Sequence, residues 1–134
     1  METPVIVKTT DGVYAKRFPL RGIKYEAEIC GLRRLRDTEH FPQIQHVDHR
    51  TCTVYTSDCG ERLHKSNLPV DWQQQIAAMN AALVQHGVQH CDISSRNMTV
   101  KNGVMYLIDF DHSRTVDDED ASYYSELLHA VQSL

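Results

Sequence analysis

Asn102-Gly103 constrains this chain more than any other pair of residues. A two-residue hairpin loop of type I′ needs positive φ at both central positions, and Asn-Gly meets that demand with little strain. The flanking residues suit the two arms. Met98-Thr99-Val100-Lys101 precedes the turn and Val104-Met105-Tyr106-Leu107-Ile108 follows it. Pairing Lys101 with Val104 sets Asn97 opposite Ile108 and leaves Asp109 beside Asn97 at the open end. Asp92 lies five residues before Asn97, in a loop that enters the same end. Cross-strand spacing then gathers two carboxylates and one amide oxygen within roughly 5–8 Å. Such a set suits Mg²⁺, which takes a few oxygen ligands and keeps room for phosphate.

His90-Cys91-Asp92, then Asn97, then Asp109-Phe110-Asp111 resembles the catalytic loop and metal loop of the protein-kinase-like superfamily. The resemblance implies ATP and Mg²⁺ as cofactors. It implies that Asp92 orients the attacking hydroxyl while Asn97 and Asp109 hold Mg²⁺ on the nucleotide phosphates. His90 is expected to orient the loop through backbone hydrogen bonds. Ser94 stands where protein kinases usually have lysine, and Asp111 where they have glycine. In both respects the chain is similar to RIO-type kinases, aminoglycoside phosphotransferases and lipopolysaccharide sugar kinases. Cys91 replaces the arginine of phospho-regulated protein kinases, and the activation segment that arginine serves is expected to be absent. Without the resemblance, the same stretch is a buried hairpin with two exposed carboxylates.

Residues 4–9 and 12–18 alternate like two strands around Thr10-Asp11-Gly12, with Tyr14, Lys16 and Phe18 on one face. Tyr25, Ile29, Leu32 and Leu35 predict a helix over 23–36, with Glu28 bordering the apolar stripe. Val-Tyr-Ala-Lys and Glu-Ile-Cys-Gly-Leu-Arg-Arg-Leu resemble the family's lysine strand and following helix. They imply that Lys16 grips nucleotide phosphates and pairs with Glu28, or alternatively with Glu26. Tyr14 falls where the family leaves space for adenine, so it either stacks on the base or blocks it. The 15 residues before Lys16 hold one glycine, Gly12. A phosphate-cradling G-x-G-x-x-G loop is therefore missing and weak nucleotide affinity is expected.

Further strands are expected at 44–47 and 51–56, joined by Asp48-His49-Arg50. The stretch after them, from Ser57 to Leu63, resembles the family's hinge. On that match Thr56 and Asp58 offer main-chain contacts to adenine. Asp71 is expected to cap a helix, with Gln74 completing a capping box. Trp72, Ile76, Met79 and Leu83 form its buried stripe, and Gly87 ends it. The acidic run 117–120 suits the N-terminus of a last helix whose apolar face is Ala121, Tyr124, Leu128 and Val131. His46, His49 and Cys52 form a loose His-x-x-His-x-x-Cys, a separate candidate for a structural metal.

At 134 residues the chain is expected to be one domain over 1–134, with a small lobe at 1–58 and a truncated second lobe at 59–134. It is about half as long as a complete kinase fold, and the helical platform for peptide substrates is not expected. The expected fold class is α+β. It is a minimal protein-kinase-like two-lobed fold: a small antiparallel sheet plus one helix, then a truncated helical second lobe carrying the catalytic hairpin. Net charge of −4 gives no reason to expect nucleic-acid binding; Arg33, Arg34 and Arg36 read as the solvated side of a helix. No apolar run approaches the roughly 20 residues of a membrane span, and the start has no signal-like pattern. A cytoplasmic protein that binds no membrane is expected, with Cys30, Cys52, Cys59 and Cys91 reduced. Two functions follow. One is ATP- and Mg²⁺-dependent transfer to a hydroxyl of a protein Ser/Thr or a small-molecule acceptor. The other is a pseudokinase that binds a partner protein, such as a full kinase. Apolar surface left by the truncated lobe implies self-association, as in a homodimer.

Overall fold

The computed structural model describes residues 4–9 and 12–134. Thr10 and Asp11, in the expected first turn, lie outside the described residues. The fold is α+β, with three α-helices and antiparallel sheets among the described residues. In chain order the elements are β1 (Val5–Lys8), β2 (Tyr14–Arg17), α1 (Ile23–Arg34), β3 (Ile44–Asp48), β4 (Thr53–Thr56), β5 (Glu61–Arg62), α2 (Trp72–Gln85), β6 (Val88–Gln89), β7 (Met98–Lys101), β8 (Val104–Leu107), β9 (Arg114–Thr115) and α3 (Tyr124–Gln132).

β1 to β4 make one sheet in the order β1-β2-β4-β3. Lys16 pairs with Ile6 on one side and Val54 on the other, so its side chain projects from the middle of this sheet. Phe18 and Val54 pack against Tyr25 and Ile29 of α1. The whole expected stripe Tyr25, Ile29, Leu32 and Leu35 is buried. α1 stops two residues sooner than its periodicity suggests. Asp37 takes φ +60°, a conformation through which a right-handed helix cannot continue. The Gln43 side-chain amide then donates to the carbonyls of Leu35, Thr38 and Phe41, satisfying groups that the helix end would leave bare. β4 starts at Thr53 rather than Thr51. Cys52 has φ +54° and the Asp48 carboxylate accepts the Arg50 N–H, which extends the turn at the strand's expense.

The hairpin has the expected register, from Met98 opposite Leu107 to Lys101 opposite Val104. Asn102 and Gly103 both have positive φ, 52° and 79°. The Ile108 N–H donates to Asn97 O (2.8 Å), which carries the pairing to the base of the hairpin. β5 pairs with β7. Ile76, Met79 and Leu83 of α2 join Met98, Met105, Leu107 and Phe110 in the larger core, each of them fully buried. Burial of one such side chain stabilises by about 1.5–3 kcal/mol. Gln75 sits among them because its amide donates to Gly103 O (2.8 Å) and accepts the Met105 N–H (2.7 Å). It thereby bolts α2 to the hairpin tip.

Three local expectations fail. No capping box forms at α2: Asp71 makes no side-chain cap bond, because Gln75 donates to its carboxylate (2.9 Å) instead. The acidic run 117–120 lies in exposed turns before α3, and α3 buries Leu127, Ala130 and Val131, of which Val131 alone belongs to the expected set. Asn80 of α2 accepts the Tyr123 N–H (2.7 Å), and this tertiary bond fixes where α3 begins. Among the described residues no helix is long and apolar enough to cross a membrane.

Candidate functional site

The loop from His90 to Asn97 is held by one imidazole. His90 Nδ1 accepts the Asp92 N–H (3.1 Å), so Nε2 carries the hydrogen and donates to Ile108 O (2.8 Å). The ring is fully buried and stands edge-on to Phe110, 4.7 Å away. Burial pushes its pKa below the ordinary value against the pull of Ile108 O and nearby carboxylates, which keeps the neutral form that both bonds require. Cys91 has φ +72°, a conformation costing roughly 1–2 kcal/mol for a residue with a Cβ. The loop accepts that strain while His90 pins it on both sides.

Asn97 is buried, and its amide nitrogen donates to Asp92 O (2.9 Å) and Asp92 Oδ2 (3.1 Å). Its amide oxygen is thus turned away from Asp92. On the other oxygen of Asp92, Arg96 Nη2 stands 3.8 Å from Oδ1. Ser94 Oγ, in the same loop, is buried with no hydrogen-bond partner among the described residues.

Lys16 is the electrostatic centre. Its Nζ lies 2.8 Å from Asp109 Oδ1, 3.4 Å from Glu28 Oε1 and 3.5 Å from Asp111 Oδ2. Burial opposes its charge, but Glu28 and Asp109 outweigh burial and raise the pKa, so the ammonium stays protonated. Asp109 is pushed up by burial and pulled down harder by Lys16 and by a hydrogen bond from Asp111, to about 2. Asp111 moves up, through burial and through Asp109. Glu28 rises to about 7, chiefly by burial, with Lys16 opposing and Asp109 and Asp111 adding to the rise. Glu28 rather than Glu26 meets Lys16; Glu26 is exposed and pairs with Arg21 at 3.0 Å. Asp111 is the participant that sequence reasoning left without a role. In the Asp-Phe-Asp triplet both carboxylates reach Lys16 while Phe110 is buried in the core.

A cavity of about 150 Å³ opens beside Lys16, lined by Tyr14, Glu28, Thr56, Cys59 and Asp109 among others. Tyr14 lies across it, its hydroxyl donating to Gly60 O at 3.4 Å, with Lys8 Nζ 5.8 Å over its ring. Thr56 reaches the wall; Asp58 does not, while Ser57, Cys59 and Gly60 do. The Asp58 carboxylate accepts the Gly60 N–H (2.9 Å) and pairs with Lys8 (3.1 Å) and Lys101 (3.4 Å). It fastens β1 and the hairpin tip to the same short segment. Burial pushes the Cys59 thiol up to about 11.

The separate metal candidate does not assemble. His49 Nδ1 is hydrogen-bonded to the Tyr25 hydroxyl (2.7 Å), and His46 packs on the ring of Tyr55. Among the described residues no group of three or more His, Cys, Asp or Glu is placed to hold one metal ion. What the site does bring together is a buried, charged lysine against an ionised aspartate, beside a loop that presents a second aspartate and an amide oxygen. Such a set can neutralise a polyanion and orient a hydroxyl. No family model and no curated protein matches this chain.

Proposed function

We propose that this chain is a kinase-like phosphotransferase, one domain with a small lobe at 1–58 and a reduced second lobe at 59–134. It would move the γ-phosphoryl of ATP to a hydroxyl acceptor. The observation that carries this reading is the contact of Lys16 with Asp109 at 2.8 Å, with Glu28 buried behind it. These residues are 93 apart in sequence, and a buried lysine serving two elements in this way has a clear use in gripping phosphate.

Asp109 and the amide oxygen of Asn97 would hold Mg²⁺, which keeps most of its shell for water and phosphate and so needs few protein ligands. When bound, Mg²⁺ supplies charge neutralisation on the phosphates. Lys16 stays protonated and offers its ammonium to the nucleotide phosphates. Asp92 orients the acceptor hydroxyl and takes its proton, while Asn97 keeps one of its oxygens fixed. His90 stays neutral and holds the loop.

The second reading is a pseudokinase that binds a partner protein. It is favoured by the cleft itself. A volume of about 150 Å³ is below the roughly 300 Å³ at which small-molecule sites begin, and Tyr14 forms part of its wall. Asp92→Asn decides between the two. For a phosphotransferase, wild type transfers radiolabelled γ-phosphate, to itself if no acceptor is supplied. The variant keeps its Mg·ATP-dependent gain in melting temperature and loses about 100-fold or more of the rate. Neither transfer nor a melting shift at millimolar Mg·ATP in the wild type would refute the phosphotransferase and leave the partner-binding reading.

A further inference from the structure

We infer that β1 is an interface: a second copy of this chain lays its own β1 alongside, antiparallel, about a two-fold axis at Ile6. The dimer stands or falls apart from the phosphotransferase reading. β1 is an outer strand of the small sheet, and all four of its residues are exposed. Val5, Ile6 and Val7 are 60%, 56% and 55% exposed. A bare edge of apolar β-branched residues is a template for another strand, and native sheets usually blunt such edges. The other edge of this sheet is blunted. β3 carries a break in register between Ile44 and His46, and its exposed residues are Gln45 and His46. β1 has no such break, and Lys8 is turned to Asp58 at 3.1 Å.

The backbone of β1 aims its free groups outward at Ile6. Thr9 N–H donates to Val13 O (2.7 Å), which makes Thr9 and Val13 a hydrogen-bonded pair. Such pairs alternate along an antiparallel ladder, so Val7 with Ala15 and Val5 with Arg17 also bond inward. On the other side of β2, Phe18 N–H donates to Cys52 O (2.9 Å), so the even-numbered residues of β2 serve β4. The N–H and C=O of Ile6 therefore point away from the sheet.

A second copy fits this edge because Val5-Ile6-Val7 reads the same in both directions. Antiparallel pairing centred on Ile6 sets Ile6 opposite the partner's Ile6, and the two exchange N–H···O bonds. It also sets Val5 opposite the partner's Val7, and Val7 opposite the partner's Val5. Every cross-strand contact then joins β-branched apolar side chains, the self-complementarity that a two-fold interface requires. Pro4, with no N–H to donate, and Lys8 bound the apolar triplet. A slip of one residue would bring opposite faces of the two sheets together. The axis stands perpendicular to the sheet, so the Lys16 cavities of both copies open on the same side. Ile6 lines that cavity, and the partner's Ile6 stands beside it. So short an edge covers less than the roughly 800 Å² per partner of a standard interface, so the dimer is weak and reversible.

Sedimentation velocity of the wild type from about 5 µM to about 500 µM, the span that a small interface calls for, should show monomer and dimer in equilibrium. Val5→Lys should keep the wild-type melting temperature, because Val5 is exposed, and should weaken the dimer about tenfold. Val5→Lys combined with Val7→Glu should restore it, since each new ammonium then faces a new carboxylate across the axis. A wild type that stays monomeric to the top of the range overturns the inference. A dimer that Val5→Lys leaves unchanged puts the interface elsewhere and overturns it as well. A double variant no tighter than Val5→Lys alone refutes pairing centred on Ile6.

Discussion

Replacing Glu28 by glutamine tests the electrostatics on which the site depends. The carboxyl is buried against Lys16, and burial lifts its pKa from 4.5 to about 7 although Lys16 pulls the other way. In the unfolded chain the group ionises near its ordinary value. Between these two pH values the folded protein keeps a proton that the unfolded chain has released. The contribution of Glu28 is therefore fully present below pH 4.5 and is lost as pH rises through 7. From 4.5 to about 7, at ~1.36 kcal/mol per pH unit, the loss is about 3 kcal/mol. That is a large share of the roughly 5–15 kcal/mol that holds a domain together. Other groups slope the opposite way, His90 and Asp109 among them. His90 is held below its usual 6.5, so its share is lost as pH falls below that value. Asp109, lowered to about 2, loses its share as pH falls from its usual 3.8 toward that value. His90 is common to wild type and Glu28→Gln, and Asp109 titrates below the pH range compared. Urea unfolding of the two proteins from pH 5 to pH 8.5 should show Glu28→Gln gaining on wild type by about 3 kcal/mol across the range. Parallel curves would mean that Lys16 holds Glu28 ionised throughout, and the account of a partly neutral glutamate behind the lysine would be wrong.

Gly60 has φ +85°, and a Cβ there would run into the Val100 carbonyl and come within 2.7 Å of Lys101 Cβ. Gly60→Ala should cost more than about 2 kcal/mol in urea unfolding, because steric displacement of β7 adds to the backbone cost. Gly103→Ala, at φ +79° with nothing within 4 Å, should cost only the backbone share of about 1 kcal/mol; equal losses would show that the Val100 contact does not matter. Tyr14→Ala should open the cleft. Labelling of the buried Cys59 by a neutral thiol reagent, followed by mass spectrometry in a Cys30→Ser, Cys52→Ser, Cys91→Ser background, should then run several-fold faster. An unchanged rate would show that Tyr14 does not close the cavity.

The parts of the site that sequence could disclose are those fixed by short-range chemistry. Asn102-Gly103 sets its own turn, the turn sets the register, and the register delivers Asn97 and Asp109 to the same end. The stripe on α1 follows from helical period, which is why Glu28 falls beside it. Failure begins where a distant partner decides. Gln74 and Gln75 look alike in sequence, but only Gln75 meets backbone groups of the hairpin about one core-width away, and it draws Asp71 off the helix end. The acidic run suits a helix start by charge alone, yet Asn80 assigns that start to Tyr123.

Competition is harder still to see in sequence. Lys16–Glu28 is legible as a pair, whereas Asp109 and Asp111 add second and third claims on the same ammonium that the sequence does not announce. Geometry alone ranks them: Asp109 at 2.8 Å holds the ammonium more closely than Glu28 at 3.4 Å or Asp111 at 3.5 Å. Burial then separates carboxylates that sequence presents as equivalent. Asp109 keeps its charge because the nearest cation outweighs its desolvation, while Glu28, more deeply buried and farther from that cation, holds its proton up to about pH 7. Deeper burial of Glu28, more than the 0.6 Å by which its contact with Lys16 is the longer, thus divides the anionic member of the site from its proton-bearing neighbour. On the phosphotransferase reading that division leaves one ionised carboxylate facing the cleft, where a cation is wanted, and withdraws charge from behind the lysine, where phosphate must approach.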